Sequence, residues 1–278
     1  MRSLKKYMKR LKLFTKPKID INMNTKSIGF IGGGRITRIF LQAFENKNIG
    51  FKKIAVFDTN SETTGKLKTM FPQIEISSVE QCSAQDVVFI ALHPPVMMET
   101  LDIVASYVSE KSIVISLAPK IKMAGITGKL KANKIIRLIP NATSVINSGY
   151  NPVCFSDNMS QSEKSDMLEL LGILGKTFEV PEQKLEAYVI ISAMAPTYFW
   201  FQWKKLCDIG AEIGLDTEEA RQTVYETVIA AANTLFKSGK TDEDVFDLIP
   251  VKPIGENEKE IENIFDQKLK GLYSKLTS

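Results

Sequence analysis

Residues 27–44 read SIGFIGGGRITRIFLQAF: a short apolar run, three glycines in a row, then apolar residues (Ile39, Phe40, Ala43, Phe44) at helical spacing. A strand that breaks at glycine and restarts as a helix is the unit that opens a dinucleotide-binding βαβ fold. Gly32 permits the tight turn, and Gly34, beyond Gly33, lets the main chain approach a pyrophosphate. Arg35 and Ile36 begin the helix, whose free N–H groups and positive dipole end favour an anion. Thr37 stands where a third small residue is usual, so helix–strand packing must absorb a hydroxyl and one more methyl group.

The next apolar run, IAVFD, ends at Asp58, 24 residues after Gly34. An acid at the end of the second strand is placed to bond both ribose hydroxyls of an adenosine. The competing reading is an Asp58 that caps a helix starting at Ser61. A carboxylate there repels a 2′-phosphate, so NAD(H) is favoured, with NADP(H) the alternative if Arg35, Lys66 or Lys68 rescues the phosphate.

Apolar runs recur at Lys52–Phe57, Ile74–Ser77, Asp86–Leu92, Ser112–Leu117 and Lys134–Ile139, rich in Val and Ile without strict alternation, which suits strands covered on both faces. Two weaker runs follow at Pro152–Phe155 and Lys176–Val180, with a helical stretch at Glu163–Leu174 between them. Beyond Pro181 only helical patterns remain: Glu182–Ile191, Pro196–Ile213, Thr217–Lys237, Asp242–Leu248 and Asn257–Leu276. The expected fold is α/β: a doubly wound Rossmann-type sheet over 26–180, then an all-helical domain over 181–278.

In Thr217–Lys237, Ala220, Val224, Val228, Ala231 and Leu235 recur at three or four and predict one buried stripe. The preceding stretch, with Phe199, Trp200, Phe201, Trp203, Leu206, Cys207 and Ile209, leaves almost no polar face. A helix apolar nearly all round must be covered on every side, and a helical tail of this size has little to cover it, which predicts a homodimer or higher homo-oligomer through this domain.

The 278 residues carry a net charge of +4. Eight Lys/Arg against one acid fall within residues 1–22, so the remaining body is mildly acidic, at −3, and lacks the footprint of a nucleic-acid binder. Residues 1–25 read as a basic leader, either a disordered extension ahead of a natural beginning at Met23 or an arm for an anionic surface. The three cysteines are far apart and His93 is the one histidine, so neither a disulfide framework nor a metal site is expected. A reduced, cytoplasmic setting follows, with no apolar run long enough to span a bilayer.

Further motifs extend the pattern. GFIGGG, ALHPP (Ala91–Pro95), SLAPKI (Ser116–Ile121), RLIPNAT (Arg137–Thr143), SAMAPTY (Ser192–Tyr198) and GLDTEEA (Gly214–Ala220) stand in order. In order and spacing they resemble the pyrroline-5-carboxylate reductases, with their G-F-I-G-x-G, A-V-K-P-Q, S-I-A-A-G-I, R-x-M-P-N-T-P, S-G-S-G-P-A-Y and G-L-P-x-x-x-A. The resemblance implies a Rossmann domain followed by a helical dimerisation domain, an active site between subunits, and hydride transfer between a nicotinamide cofactor and a small imine. Leu92, His93, Pro94 and Ala118 would then border the cofactor, Pro94 flanking the nicotinamide ribose, and Asn141 would contact cofactor or substrate beside the nicotinamide. His93 replaces the family's lysine and reads either as a strand-end histidine satisfied by backbone or as a cofactor ligand or proton donor.

The family's P-G-G-T-T substrate loop corresponds to IPVKPIGENE (Ile249–Glu258), where both threonine hydroxyls are gone and Glu256, followed by Asn257, enters. Like charges 4 Å apart repel by roughly 1–4 kcal/mol for effective dielectrics of 80 to 20, which argues against a carboxylate substrate unless Lys252 neutralises the acid. Met194 and Ala195 replace Ser-Gly, and Glu226 replaces a glutamine just before the retained Thr227. Glu226, Thr227, Glu256 and Asn257 are thus the candidate catalytic residues; the two acids would bind a cationic amine, or donate a proton if burial raises a pKa. A solvated acidic loop is the plain alternative for Glu256. Two other functions fit the motifs: a carbonyl or alcohol oxidoreductase on the same scaffold, or a nucleotide-binding, redox-sensing protein that has lost catalysis.

Overall fold

The computed structural model describes residues 25–130 and 134–278. The leader expected over 1–25 lies outside the described residues except for its last position. Eight strands form one sheet: β1 (Ser27–Ile31), β2 (Lys53–Phe57), β3 (Glu75–Ile76), β4 (Val87–Ile90), β5 (Ile113–Ser116), β6 (Lys134–Leu138), β7 (Gly149–Phe155) and β8 (Gly175–Glu179). Their order is β3-β2-β1-β4-β5-β6-β7-β8. Neighbours are parallel except β6 and β7, which run antiparallel. The chain winds one way from β1 to β3 and the other way from β4, so a crevice opens at the carboxyl ends of β1 and β4, where such sheets bind ligands.

The lack of alternation within the strands has the anticipated cause. Phe30, Phe89 and Ile115 face one layer, with α1 (Arg35–Asn46) and the helix Gln161–Gly172 packed on it. Ile31, Val88, Ile90 and Val114 face the other, under Pro94–Tyr107 and Met123–Leu130. Phe30 and Phe89 stack across adjacent strands at 4.7 Å between ring centroids.

After β8 the chain is helical, in a short 3₁₀ turn, the helix Leu185–Tyr188, a π-helical segment Val189–Ala193 and the long helices Pro196–Glu212 and Thr217–Lys237. This part docks on the sheet through Leu185 and Val189 against Ile139, Cys154 and Val180. An ion cluster spans the same junction. Arg137 of β6, 1% exposed, donates to Glu182 at 2.6 Å and to Glu186 at 2.7 Å. Glu182 also accepts the N–H of Met123. A charge this deep is tolerated because it is paired.

The stripe expected on Thr217–Lys237 is not buried as a whole. Ala220 is buried, packed on Gly210; Val224, Val228 and Leu235 are half-buried, and Ala231 is exposed. On the neighbouring helix Phe199, Trp200, Phe201, Leu206 and Ile209 are exposed, Phe201 by 67%. The two long helices pack on each other, and a two-helix layer covers only one side of each.

Candidate active site

The glycine turn is built as its residues require. Gly32 has φ +105°, and a Cβ there would lie 2.4 Å from the Ala91 carbonyl oxygen, so both conformation and space demand glycine. Its N–H donates to the Phe57 carbonyl at 2.8 Å. The Thr37 hydroxyl is wholly buried and donates to the Gly32 carbonyl at 2.5 Å, so the extra polar group is satisfied within the turn. Gly34 precedes α1 without a side-chain cap, and the space where its side chain would stand is empty within 4 Å. Arg35, exposed, and Ile36, half-buried, begin the helix.

Asp58 stands at the end of β2, half-buried, its carboxylate accepting the Gly33 N–H at 2.7 Å and the Asn60 N–H at 2.9 Å. It does not cap the following helix. Asn60 does, accepting from Glu62 and Thr63. Of the lysines that could serve a 2′-phosphate, Lys66 pairs with Glu62 at 2.6 Å, and Lys68 donates to the carbonyls of Pro72 and Ile74.

The other cofactor candidates follow the remaining parallel strands. Leu92 lies against the Gly32 turn after β4, and Pro94 is the first residue of the next helix. His93 is exposed and does not cap that helix with its side chain, so it is not a packed strand-end histidine. Ala118 is buried beyond β5. Asn141, beyond β6, is 4% exposed and caps the 3₁₀ turn Ala142–Ile146. Thus the carboxyl edges of β1, β2, β4, β5 and β6 gather all the predicted cofactor residues.

The four catalytic candidates lie elsewhere. Glu226 and Thr227 are exposed midway along Thr217–Lys237, with Glu226 accepting from Gln222 at 2.7 Å. Glu256 and Asn257 are exposed in a 3₁₀ turn, Gly255–Asn257. Neither acid is buried within one chain. Lys252 stacks over the Phe246 ring at 5.8 Å. These contacts stay within the helical layer and do not join the four residues to the carboxyl edge.

Cysteine chemistry has no support at this edge. Burial pushes the Cys82 thiol up to about 12 and the Cys154 thiol up to about 11, which keeps both protonated at neutral pH. Among the described residues no group of His, Cys, Asp or Glu could hold a metal ion. A groove of about 930 Å³, lined by Thr127, Cys154, Asp157, Glu179 and Glu182 among others, contains none of the candidates.

Sequence reading passed over Arg137, Asn151 and Ser192. A charge inside the apolar run IIRLI was the available signal for Arg137, since it requires a buried partner. Nothing local marks Asn151, and Ser192 enters only as the first residue of SAMAPTY.

Two family models match in succession: residues 27–120 match the NADP oxidoreductase, coenzyme F420-dependent family, and residues 182–271 match the pyrroline-5-carboxylate reductase dimerisation domain. The chain belongs to the pyrroline-5-carboxylate reductase family. As a member it is an NAD(P)-dependent oxidoreductase of the kind that acts on a CH–NH bond, and its helical part is the family's dimerisation domain. It is 25% identical to pyrroline-5-carboxylate reductase 1 of Bacillus subtilis over 251 residues, covering 86% of this chain and 82% of that protein. It is 27% identical to the Aquifex aeolicus reductase, over 76% of this chain and 78% of that protein. In fold it is similar to Plasmodium falciparum pyrroline carboxylate reductase with NADP bound, with a TM-score of 0.73, 20% identity, and coverage of 91% of this chain and 97% of that one.

Proposed function

We propose that the chain is a homodimeric, NAD(H)-preferring reductase of a small C=N substrate, with residues 26–180 binding the dinucleotide and 181–278 forming the substrate and dimer domain. The observation that carries the reading is the carboxyl edge itself: an uncapped helix start behind an open Gly34, beside a carboxylate anchored at the end of β2. These residues fit a dinucleotide. The N–H groups of Arg35 and Ile36 would take the diphosphate, and Asp58, with lone pairs left after its two main-chain bonds, would take the ribose hydroxyls. The Asp58 charge supports a preference for NAD(H), and Lys68, bonded to the carbonyls of Pro72 and Ile74, is turned to its own chain, which leaves Arg35 and Lys66 as the exposed cations nearest a 2′-phosphate.

Bound nicotinamide supplies the hydride. The chain's own task is to hold the reacting carbons about 3–3.5 Å apart and to exclude water. The exposed aromatic face of Pro196–Glu212 supports closure by a second copy, which would bring Glu226, Thr227, Glu256 and Asn257 to a cofactor edge they do not reach within one chain. In that assembled site the acids are proton donors to the imine nitrogen or hold a cationic amine. Glu256 in place of the threonine loop argues for a substrate other than pyrroline-5-carboxylate. Three free cysteines, and no helix among the described residues long and apolar enough to cross a membrane, support a reducing, cytoplasmic setting.

The test is calorimetry with NADH and NADPH, followed by a screen of cyclic imines, with and without a carboxylate, by absorbance of the reduced nicotinamide. NADH binding and turnover of an imine support the proposal. Binding without turnover of any imine or carbonyl would favour a redox-sensing protein, and turnover of carbonyls alone would move the reaction class.

A further inference from the structure

Asn141 has no hydrogen-bond donor left for a ligand. Its Oδ1 accepts the Thr143 N–H at 3.0 Å and the Thr143 hydroxyl at 2.8 Å. Its Nδ2 donates to the Ser192 carbonyl at 3.0 Å and to the Ser192 hydroxyl oxygen at 3.1 Å. A side-chain amide carries two donor hydrogens, and both are taken by Ser192; on the acceptor side the single Thr143 hydroxyl proton is shared with the Ser148 carbonyl at 2.9 Å. The Ser192 hydroxyl in turn donates to the Tyr150 carbonyl at 2.9 Å. Beneath them the wholly buried Asn151 accepts the Asn141 N–H at 3.0 Å. Ser192 belongs to the π-helical segment Val189–Ala193, a backbone irregularity that often marks functional positions. One serine therefore ties the end of β6 to the start of the long helices.

We propose that Ser192 is a positioning residue for the nicotinamide half of the site: it occupies both hydrogens of the Asn141 amide, so that Asn141 serves as a fixed wall of the turn and not as a hydrogen-bond donor to the cofactor. The inference rests on the dinucleotide reading above. Gly34 and Asp58 follow β1 and β2, across the switch in strand order from β6, so the adenosine half is independent of this clasp.

The experiment is calorimetric titration of wild type, Ser192→Ala, Ser192→Thr, Asn141→Ala and the Ser192→Ala/Asn141→Ala double variant with NADH and with ADP-ribose, which lacks the nicotinamide. Ser192→Ala is expected to weaken NADH about fivefold, the size of one neutral hydrogen bond, and to leave ADP-ribose unchanged. Ser192→Thr restores NADH affinity, and the double variant is no weaker than the poorer single one. The proposal is overturned if NADH and ADP-ribose weaken together, if Ser192→Thr is as weak as Ser192→Ala, or if only Asn141→Ala has an effect. Wild type binding neither ligand would overturn the dinucleotide reading and this inference with it; wild type binding both, with Ser192→Ala unaltered, overturns this inference alone.

Discussion

Asp58→Asn tests the charge that sets cofactor preference. The amide keeps one oxygen, which can retain the Gly33 N–H bond now made at 2.7 Å, while the Asn60 N–H at 2.9 Å loses its acceptor; the change removes the charge and one main-chain bond of the turn. A unit charge 4 Å from a second contributes about 1 kcal/mol at a dielectric of 80 and about 4 kcal/mol at 20, and half-buried Asp58 lies between these limits. The 2′-phosphate of NADPH bears more than one negative charge, so relief of repulsion is worth at least about 1.4 kcal/mol, a tenfold tightening of NADPH. NADH loses a charge-assisted bond to its ribose and weakens by about tenfold. The preference should narrow by about two orders of magnitude. Fluorescence titration of both coenzymes at low and high salt measures this. A ratio of affinities that Asp58→Asn leaves unmoved would refute the assignment of the adenosine ribose to this carboxylate.

Arg137→Ala strands Glu182 and Glu186 at the domain junction and should cost about 3–5 kcal/mol in denaturant unfolding, with Arg137→Met less harmful than Arg137→Ala. The Lys134 ammonium, and then Ser160, lower the Glu163 carboxyl from its ordinary 4.5 to about 2. Stability from this group is full above 4.5 and lost as pH falls through 2, so wild type and Glu163→Gln should differ near neutrality and converge at about pH 2 in melting experiments. Phe201→Glu places a charge on an exposed aromatic face and should yield a folded monomer by light scattering; an unchanged dimer would exclude that face from the interface. Glu256→Gln should lower turnover or raise KM on the true substrate, and unaltered kinetics would remove Glu256 from the site.

Much of the carboxyl edge is legible locally. Each strand is a short Val/Ile-rich run, and the glycine turn announces itself because no other residue tolerates the Gly32 conformation with a carbonyl 2.4 Å from its missing side chain. Asp58 was ambiguous for a local reason: Asp58 and Asn60 are both cap formers within three residues, and Asn60 took the role. The stripe of Thr217–Lys237 shows the limit of periodicity, since a 3.6-residue repeat identifies an apolar face and leaves open whether its cover comes from the same chain.

Strand positions, helix spans and the anion-binding turn could be read from residues within a few positions of one another, because backbone sterics and apolar period act at short range. The Arg137 cluster, the Asn141–Ser192 clasp and the separation of the acidic candidates from the cofactor edge could not. Their partners lie 45 to 51 residues apart, and a hydrogen bond across that distance exists only after the sheet has closed and the helices have docked. Pairing of buried polar groups is a condition the folded chain must meet; which groups meet it is settled by packing in three dimensions.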